Sequence, residues 1–169
     1  VWMQAGVRFD GAIGVSAGAV FGCNYKSHQI GRALRYNKRF CADRRYGSFH
    51  SLLKTGNLFD TEFCYHTIPT VLDPFDAETY RQDPMEFYVT ATDARTGKAV
   101  YHLCMKGDEE DITWMRASAS MPGVSNIVSC DGLRLSDGGT ADSIPLRFLE
   151  SKGYRRNVVI LTQPLGYEK

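Results

Sequence analysis

The sequence lacks the patterns that mark most metal-dependent or disulfide-stabilised proteins. Its five cysteines are scattered without a C-x-x-C pair, and its four histidines show no ligand spacing such as H-E-x-x-H. A disulfide framework and a zinc site are therefore both disfavoured. Scattered thiols are typical of a reducing compartment, so we expect a cytoplasmic protein that uses no metal and no cofactor.

Membrane-spanning and nucleic-acid-binding classes are disfavoured in the same way. No apolar run approaches the ~20 residues that cross a bilayer, and no signal-peptide pattern is visible. The formal net charge of +1 gives no basic surplus of the kind that binds nucleic acid. Hydrophobic residues make up 43% of the 169 positions, which is enough for one domain with a sizeable core.

Glycine, by contrast, is plentiful, and one glycine-rich stretch carries a catalytic pattern. The residues Gly14-Val15-Ser16-Ala17-Gly18 match G-x-S-x-G, which is typical of a nucleophile elbow, a sharp turn between a strand and a helix. We predict a strand over 7–14 and a helix over 17–28, with Ser16 at the apex. The glycines two residues to either side would remove side chains that collide in so tight a turn. The alternative is a plain turn in which Ser16 only caps the helix.

A serine hydroxyl needs a neighbouring base before it can attack a carbonyl, and the sequence offers two arrangements. A triad in the α/β-hydrolase order would end in His102, but that histidine falls inside a predicted strand and in no turn motif. In the second arrangement a carboxylate acts directly. Asp137 follows a predicted strand, and Gly138 and Gly139 after it permit close approach of backbone and substrate. The alternative for this segment is an ordinary Asp-Gly turn.

Strands and helices alternate along the rest of the chain, which predicts an α/β layered domain. The predicted strands include a hairpin over 86–93 and 99–103 and a doubly buried strand over 157–162; the predicted helices include one from about 110 to 120, which begins with four acids.

Residues 32–46 are rich in basic side chains that alternate with aromatic ones, against a single acid, Asp43. Such a run is typical of a solvated helix face that buries a few aromatic rings. The other interpretation is a basic surface that contacts the anionic head groups of a membrane peripherally.

Three blocks in this order resemble the patatin-like phospholipases, in particular their bacterial members. The blocks are Phe9–Ala19, Arg116–Pro122 and Asp137–Pro145. The resemblance implies a three-layer αβα sandwich with a mostly parallel central sheet. It also implies hydrolysis of lipid acyl esters through an acyl-enzyme, with Ser16 as nucleophile, Asp137 as base and no metal.

The resemblance also indicates how an oxyanion would be stabilised. The Ala17 amide would be one donor, and a glycine-rich loop ahead of the elbow, which this chain does not contain, would supply others. We therefore expect one patatin-like domain over 1–169 that is incomplete at its N-terminus and continues beyond Lys169. Arg116 is a candidate contact for a phosphate or carboxylate of the substrate.

Two other functions are compatible with these residues. An acyltransferase would use the same acyl-enzyme and pass the acyl group to an alcohol or thiol. A lipid-binding module would keep the fold with a catalytically impaired site.

Overall fold

The computed structural model describes residues 1–164 and 166–167, which form a mixed α/β structure. The strands are β1 (Gly11–Val15), β2 (Glu86–Asp93), β3 (Ala99–Leu103), β4 (Val128–Cys130) and β5 (Leu133–Asp137). The helices are α1 (Ala17–Lys26), α2 (Arg32–Phe40), α3 (Phe49–Thr55), α4 (Ala77–Gln82), α5 (Glu109–Ser118) and α6 (Leu146–Ser151). A π-helix (Phe63–Leu72) precedes α4, and a 3-10 turn (Gly138–Thr140) follows β5. The predicted hairpin and the predicted acid-led helix are confirmed as β2–β3 and α5.

The central strand of the sheet is β2, and its two edges carry different partners. β3 pairs along one edge, opposite Tyr88 to Thr92. β1 and β5 share the other edge: β1 runs parallel beside residues 86–90, and β5 runs antiparallel beside residues 91–93. Because β1 and β5 approach along the same edge from opposite directions, their carboxyl ends meet beside the middle of β2.

The sheet is not the mostly parallel one that was expected. Among the residues that the structure describes, only β1 and β2 pair in parallel, whereas β2–β3, β2–β5 and β4–β5 are antiparallel. For β2–β3 and β4–β5 the reason lies in their short connections, since a parallel crossover needs a dozen or more residues. β4 and β5 are joined by Asp131 and Gly132, whose φ angles of 51° and 72° are of the kind that a type I′ hairpin turn requires.

Helices contact both faces of this sheet. On one face, Phe87, Val89 and Ala91 of β2 form the main core with residues of α1 and α5. On the other face, the Phe148 ring of α6 lies 5.1 Å from the ring of Tyr88 and stacks on that of Tyr101 at 4.0 Å. Successive side chains of β2 point to opposite faces of the sheet, so Tyr88 contacts α6 while Phe87 and Val89 contact α1 and α5.

The strand predicted over 157–162 is wrong. These residues form no strand, and their apolar side chains are largely exposed, with Ile160 at 76% and Val158 at 61%. A run of β-branched residues becomes a strand only where a neighbouring strand accepts its hydrogen bonds. No strand in the described part of the chain pairs with this run.

Candidate active site

Ser16 lies at the sharp turn between β1 and α1, in a conformation that few side chains adopt. Its φ of 52° and ψ of −116° lie outside the ordinary regions, and such strain costs of order 1–3 kcal/mol. The Ser16 amide donates to the Ser118 hydroxyl at 2.9 Å, which ties the turn to the end of α5. Within the described residues, the Ser16 side chain accepts no capping hydrogen bond from α1. The geometry is therefore that of an elbow rather than of a plain helix cap.

The two glycines of the pattern have different roles. A Cβ on Gly14 would clash with the Gly18 carbonyl oxygen and lie 2.6 Å from the Ala19 Cα, so β1 and α1 approach too closely for any side chain. A Cβ on Gly18 would meet none of the described atoms within 4 Å. The expectation that both glycines relieve crowding is thus confirmed for Gly14 and wrong for Gly18.

Asp137 ends β5 on the same edge of β2 where β1 ends. Val15 is paired with Thr90, and Asp137 is paired with the next residue of β2, Ala91. A Cβ on Gly139 would lie 4.0 Å from the Val15 side chain, so the turn after Asp137 lies near the residue before Ser16. The structure therefore brings together the two strand ends that carry Ser16 and Asp137.

Asp137 is buried and held by hydrogen bonds, but only one of its two carboxylate oxygens has a hydrogen-bond partner among the described residues. The residue is 6% exposed, its amide donates to the Ser120 carbonyl at 2.9 Å, and its Oδ1 accepts from the Gly139 amide at 2.8 Å. Its buried Oδ2 has no hydrogen-bond partner among the described residues. A buried acceptor without a partner is costly, which is typical of a group that receives a hydrogen bond during function.

Gly138 is required for this arrangement. A Cβ there would collide with the Thr90 carbonyl group, at 2.7 Å from its carbon. The first glycine after Asp137 thus allows the chain to turn directly against β2, and the second supplies the amide that orients the carboxylate. This is a steric role for the Asp-Gly-Gly pattern beyond that of an ordinary turn.

A cavity of about 370 Å³ opens beside the elbow, within the usual size range of small-ligand sites. Ser16 and Ala17 contribute to its wall, and the remaining lining is largely aromatic and aliphatic. Residues from α1, α2, the π-helix and α5 enclose it. Its apolar lining suits a hydrocarbon chain, whose burial is favourable by about 25 cal/mol per Å².

His102 does not belong to this site. It lies on β3, where its ring stacks on Trp114 at 4.5 Å and its Nε2 is 3.6 Å from an Asp111 carboxylate oxygen. Together with Cys104, His102 and Asp111 bring their ligand atoms within 4.8 Å of one another, as a metal site would require.

Two members of this group already make contacts within the protein, since His102 stacks on Trp114. The Asp111 carboxylate already accepts the amides of Lys106 and Gly107, both at 2.7 Å. Burial raises the pKa of the Cys104 thiol and so favours its protonated form in the metal-free protein. The cluster packs β3 against α5.

The basic run over 32–46 is largely committed to internal contacts. Arg32 is buried and donates to the Asp73 carbonyl and to Asn24, while Arg35 forms two hydrogen bonds to the Asp73 carboxylate at 2.8 and 2.9 Å. Arg45 pairs with Asp43 at 2.8 Å. The alternative interpretation, a membrane-facing basic surface, is therefore not supported. In the described part of the chain no helix is long and apolar enough to cross a membrane.

Arg116 lies in the last turn of α5 and faces a second, smaller cavity rather than the apolar one.

Sequence reasoning missed Ser118, which accepts a hydrogen bond from the elbow amide, and Tyr65, which lines both cavities. Ser118 falls within the second block of the family resemblance, which was the available signal. Tyr65 lies outside the three blocks of the family resemblance.

Comparisons with known proteins agree with the resemblance. The family model described as patatin-like phospholipase matches residues 3–149. The uncharacterized protein YjjU of Escherichia coli (strain K12) is 28% identical over 168 aligned residues, which include 92% of this chain. The chain spans 44% of the length of that relative.

Proposed function

Since the chain belongs to the patatin-like phospholipase family, we propose that it hydrolyses acyl esters of lipids, with Ser16 as nucleophile and Asp137 as general base. The observation that carries the proposal is the meeting of the β1 and β5 ends along β2. It brings the strand end before a strained serine next to the strand end that carries a buried carboxylate, whose Oδ2 has no partner among the described residues.

In the first half of the reaction, Asp137 accepts the Ser16 proton as the hydroxyl oxygen attacks the ester carbonyl. The resulting oxyanion is stabilised by the Ala17 amide, which is at the N-terminus of α1 and has no intrahelical acceptor. The carbon–oxygen bond to the alcohol then breaks, and the alcohol leaves with the proton that Asp137 holds. An acyl ester on Ser16 remains.

In the second half, Asp137 removes a proton from water, and the hydroxide oxygen attacks the acyl carbon. A second oxyanion collapses, the Ser16 oxygen leaves with the proton from Asp137, and a fatty acid is released. Throughout, the acyl chain occupies the cavity beside the elbow, whose wall includes Val20, Ile68 and Met115.

The proposal extends to the architecture. The helices on both faces of the sheet would form two outer layers of a three-layer αβα sandwich in a single patatin-like domain.

The test is an active-site substitution in the full-length protein. Ser16→Ala should reduce p-nitrophenol release from medium-chain esters to background and abolish labelling by a fluorophosphonate probe. Ser151→Ala, which changes an exposed serine on α6, is the matched control and should behave like the wild type. Activity and labelling that persist in Ser16→Ala would refute the assignment, and an unlabelled wild type would favour a lipid-binding module.

A further inference from the structure

Away from the proposed active site, three side chains with metal-ligating atoms converge between β3 and α5. His102 belongs to β3, Cys104 directly follows that strand, and Asp111 lies in the first turn of α5. Their ligand atoms lie within 4.8 Å of one another, and none of the three residues lines either cavity. We call this group the β3–α5 cluster. The spacing of residues along the chain does not reveal it, because the third ligand comes from a different element.

The separations in the β3–α5 cluster suit a tetrahedral ion. A zinc ion with ligand distances of about 2.0–2.3 Å keeps its donor atoms roughly 3.3–3.7 Å apart. His102 Nε2 and Asp111 Oδ1 are 3.6 Å apart. Cys104 continues the ladder of β3, since its amide donates to the Phe87 carbonyl at 2.7 Å. Residues two positions apart on a strand point to the same face, so the imidazole and the thiol approach α5 together.

Contacts around the cluster orient two of the ligands. Asp111 Oδ2 accepts the amides of Lys106 and Gly107, at 2.7 Å each, so Oδ1 is the oxygen turned towards His102. The His102 ring stacks on Trp114 with a centroid distance of 4.5 Å and an angle of 4° between the rings. Metal ligands in proteins are typically fixed by such outer contacts, which set the direction of each donor atom.

Access and charge also favour a cation at this position. Cys104 and Asp111 are almost completely buried, whereas the His102 side chain is 22% exposed, so an ion can enter past the imidazole. A thiolate and a carboxylate together neutralise a divalent ion. The thiol proton would pass to solvent on binding, because only the thiolate coordinates a metal. The acids at 108–110 offset the positive end of the helix dipole of α5.

We propose that the β3–α5 cluster binds a divalent transition-metal ion, zinc in particular, through His102 Nε2, Cys104 Sγ and Asp111 Oδ1. A donor set of nitrogen, sulfur and oxygen selects such an ion over Mg²⁺ and Ca²⁺, which take oxygen ligands. Water at the exposed side of the imidazole would complete the tetrahedron. The ion would fasten β3 to α5, the helix whose last residue, Ser118, accepts from the elbow amide. Its role is structural and lies outside the proposed hydrolysis.

Uptake of zinc and cobalt by the full-length protein tests the site. After removal of metal with a chelator, under reducing conditions, Cys104→Ser should take up one zinc ion fewer per chain than the wild type. Cobalt(II) should give the wild type a thiolate-to-metal charge-transfer band and the intense visible bands of tetrahedral coordination. Both should be missing in Cys104→Ser, because a hydroxyl does not replace the thiolate.

Two further variants each remove one ligand and keep its packing. His102→Phe preserves a ring that stacks on Trp114, and Asp111→Asn preserves an oxygen that accepts the two backbone amides. Each should weaken zinc binding by at least about 100-fold, the upper end of the loss that follows from removing an outer-shell partner. Competition with a chromophoric chelator is the measurement. Affinities equal to that of the wild type in both variants would overturn the ligand assignment.

The matched controls remove the same side-chain types elsewhere. Cys130→Ser changes a free thiol at the end of β4, and His66→Phe removes an imidazole that lies 3.7 Å from a Glu109 carboxylate oxygen. Both should bind zinc like the wild type. Ser16→Ala should do so as well, which keeps this test independent of the proposed hydrolysis.

A melting experiment relates metal uptake to the fold. Zinc should raise the melting temperature of the wild type and of Cys130→Ser, but not that of Cys104→Ser, because an ion that binds only the folded state stabilises it. Circular dichroism should show the same secondary structure in all three proteins. Equal zinc uptake by the wild type and Cys104→Ser, or a wild-type cobalt spectrum without a thiolate band, would overturn the proposal. The three residues would then form only a packing contact between β3 and α5.

Discussion

At the scale of single residues, the candidate site consists of two groups, Asp137 and Ser16, whose surroundings do not fully stabilise them. Asp137 Oδ1 is oriented by the Gly139 amide at 2.8 Å, while Oδ2 is buried without a partner in the described residues. Ser16 is strained and held by Ser118. A fold that served stability alone would satisfy the carboxylate and relax the serine, so both features are explained by the proposed reaction.

Asp137→Asn tests the carboxylate directly. The amide has nearly the same shape and its oxygen can still accept from Gly139, but it cannot take the serine proton. We expect kcat for ester hydrolysis to fall by about 10²–10⁴-fold, the usual contribution of a general base. The melting temperature should stay within a few degrees of wild type, and a large drop in melting temperature would instead assign Asp137 a structural role.

The size of the apolar cavity should set the preferred acyl-chain length. Val20 lines it one helical turn after Ser16, and its amide donates to the Ser16 carbonyl at 3.3 Å. Val20→Phe should therefore shift the optimum in a series of p-nitrophenyl esters towards shorter chains. The measurement is kcat/KM from C2 to C12 esters. An unchanged profile would show that the acyl chain lies elsewhere.

At the scale of elements, the decisive contact is the crossing of β1 and α1 at the elbow. Gly14 lies where the strand passes directly beneath the first turn of the helix. A Cβ on Gly22, one helical turn beyond Gly18, would lie 3.2 Å from the Phe87 ring, whereas Gly18 itself faces open space in the described structure. Three glycines at a spacing of four thus have unequal steric importance, which their pattern alone does not reveal.

Gly14→Ala and Gly18→Ala form a matched pair that tests this difference. Gly14→Ala should prevent the elbow from closing and lower the melting temperature strongly or abolish folding, because its Cβ meets backbone atoms that cannot move aside. Gly18→Ala should be neutral or stabilise by up to about 1 kcal/mol, since alanine favours a helix more than glycine does. Thermal unfolding of both proteins is the measurement, and equal destabilisation would contradict the structure.

At the scale of the whole molecule, one buried acid, Asp73, links two arginines of α2 to the segment that precedes α4. Asp73 accepts both hydrogen bonds of Arg35 and lies 3.4 Å from buried Arg32. The Arg35 hydrogen bonds lower the pKa of Asp73, and the opposing effect of burial is smaller. Because the folded pKa lies below the unfolded value of about 3.9, this contribution to stability is present above that value and is lost as the pH falls through the folded pKa.

Asp73→Asn should therefore lower the free energy of unfolding at pH 7 by about 1–3 kcal/mol and narrow the difference in stability between pH 7 and pH 3. Urea unfolding at the two pH values is the measurement. The control is Asp43→Asn, which breaks a solvent-exposed pair with Arg45 and should leave the free energy of unfolding nearly unchanged. An identical pH profile in Asp73→Asn and wild type would contradict this assignment.

Much of the local structure could be predicted because it depends on near neighbours in the chain. The acids before residue 110 accompany the start of α5, where Asp108 caps the helix, and the turn over 95–98 lies between β2 and β3 as expected. The strained turn at Ser16 also followed from its five-residue pattern. The roles of Ser16 and Asp137 in catalysis stay predictions.

Only the tertiary structure decided the contacts between residues that are far apart in the chain. It placed the ends of β1 and β5 side by side on β2, made most strand pairs antiparallel and left 157–162 without a strand partner among the described residues. It also brought Arg32 and Arg35 of α2 to Asp73. Hydrogen-bond partners and counter-charges are supplied across the fold, so a local pattern cannot specify them. The sequence determined that a serine elbow and an Asp-Gly-Gly turn exist, and the packing of the sheet determined that they meet.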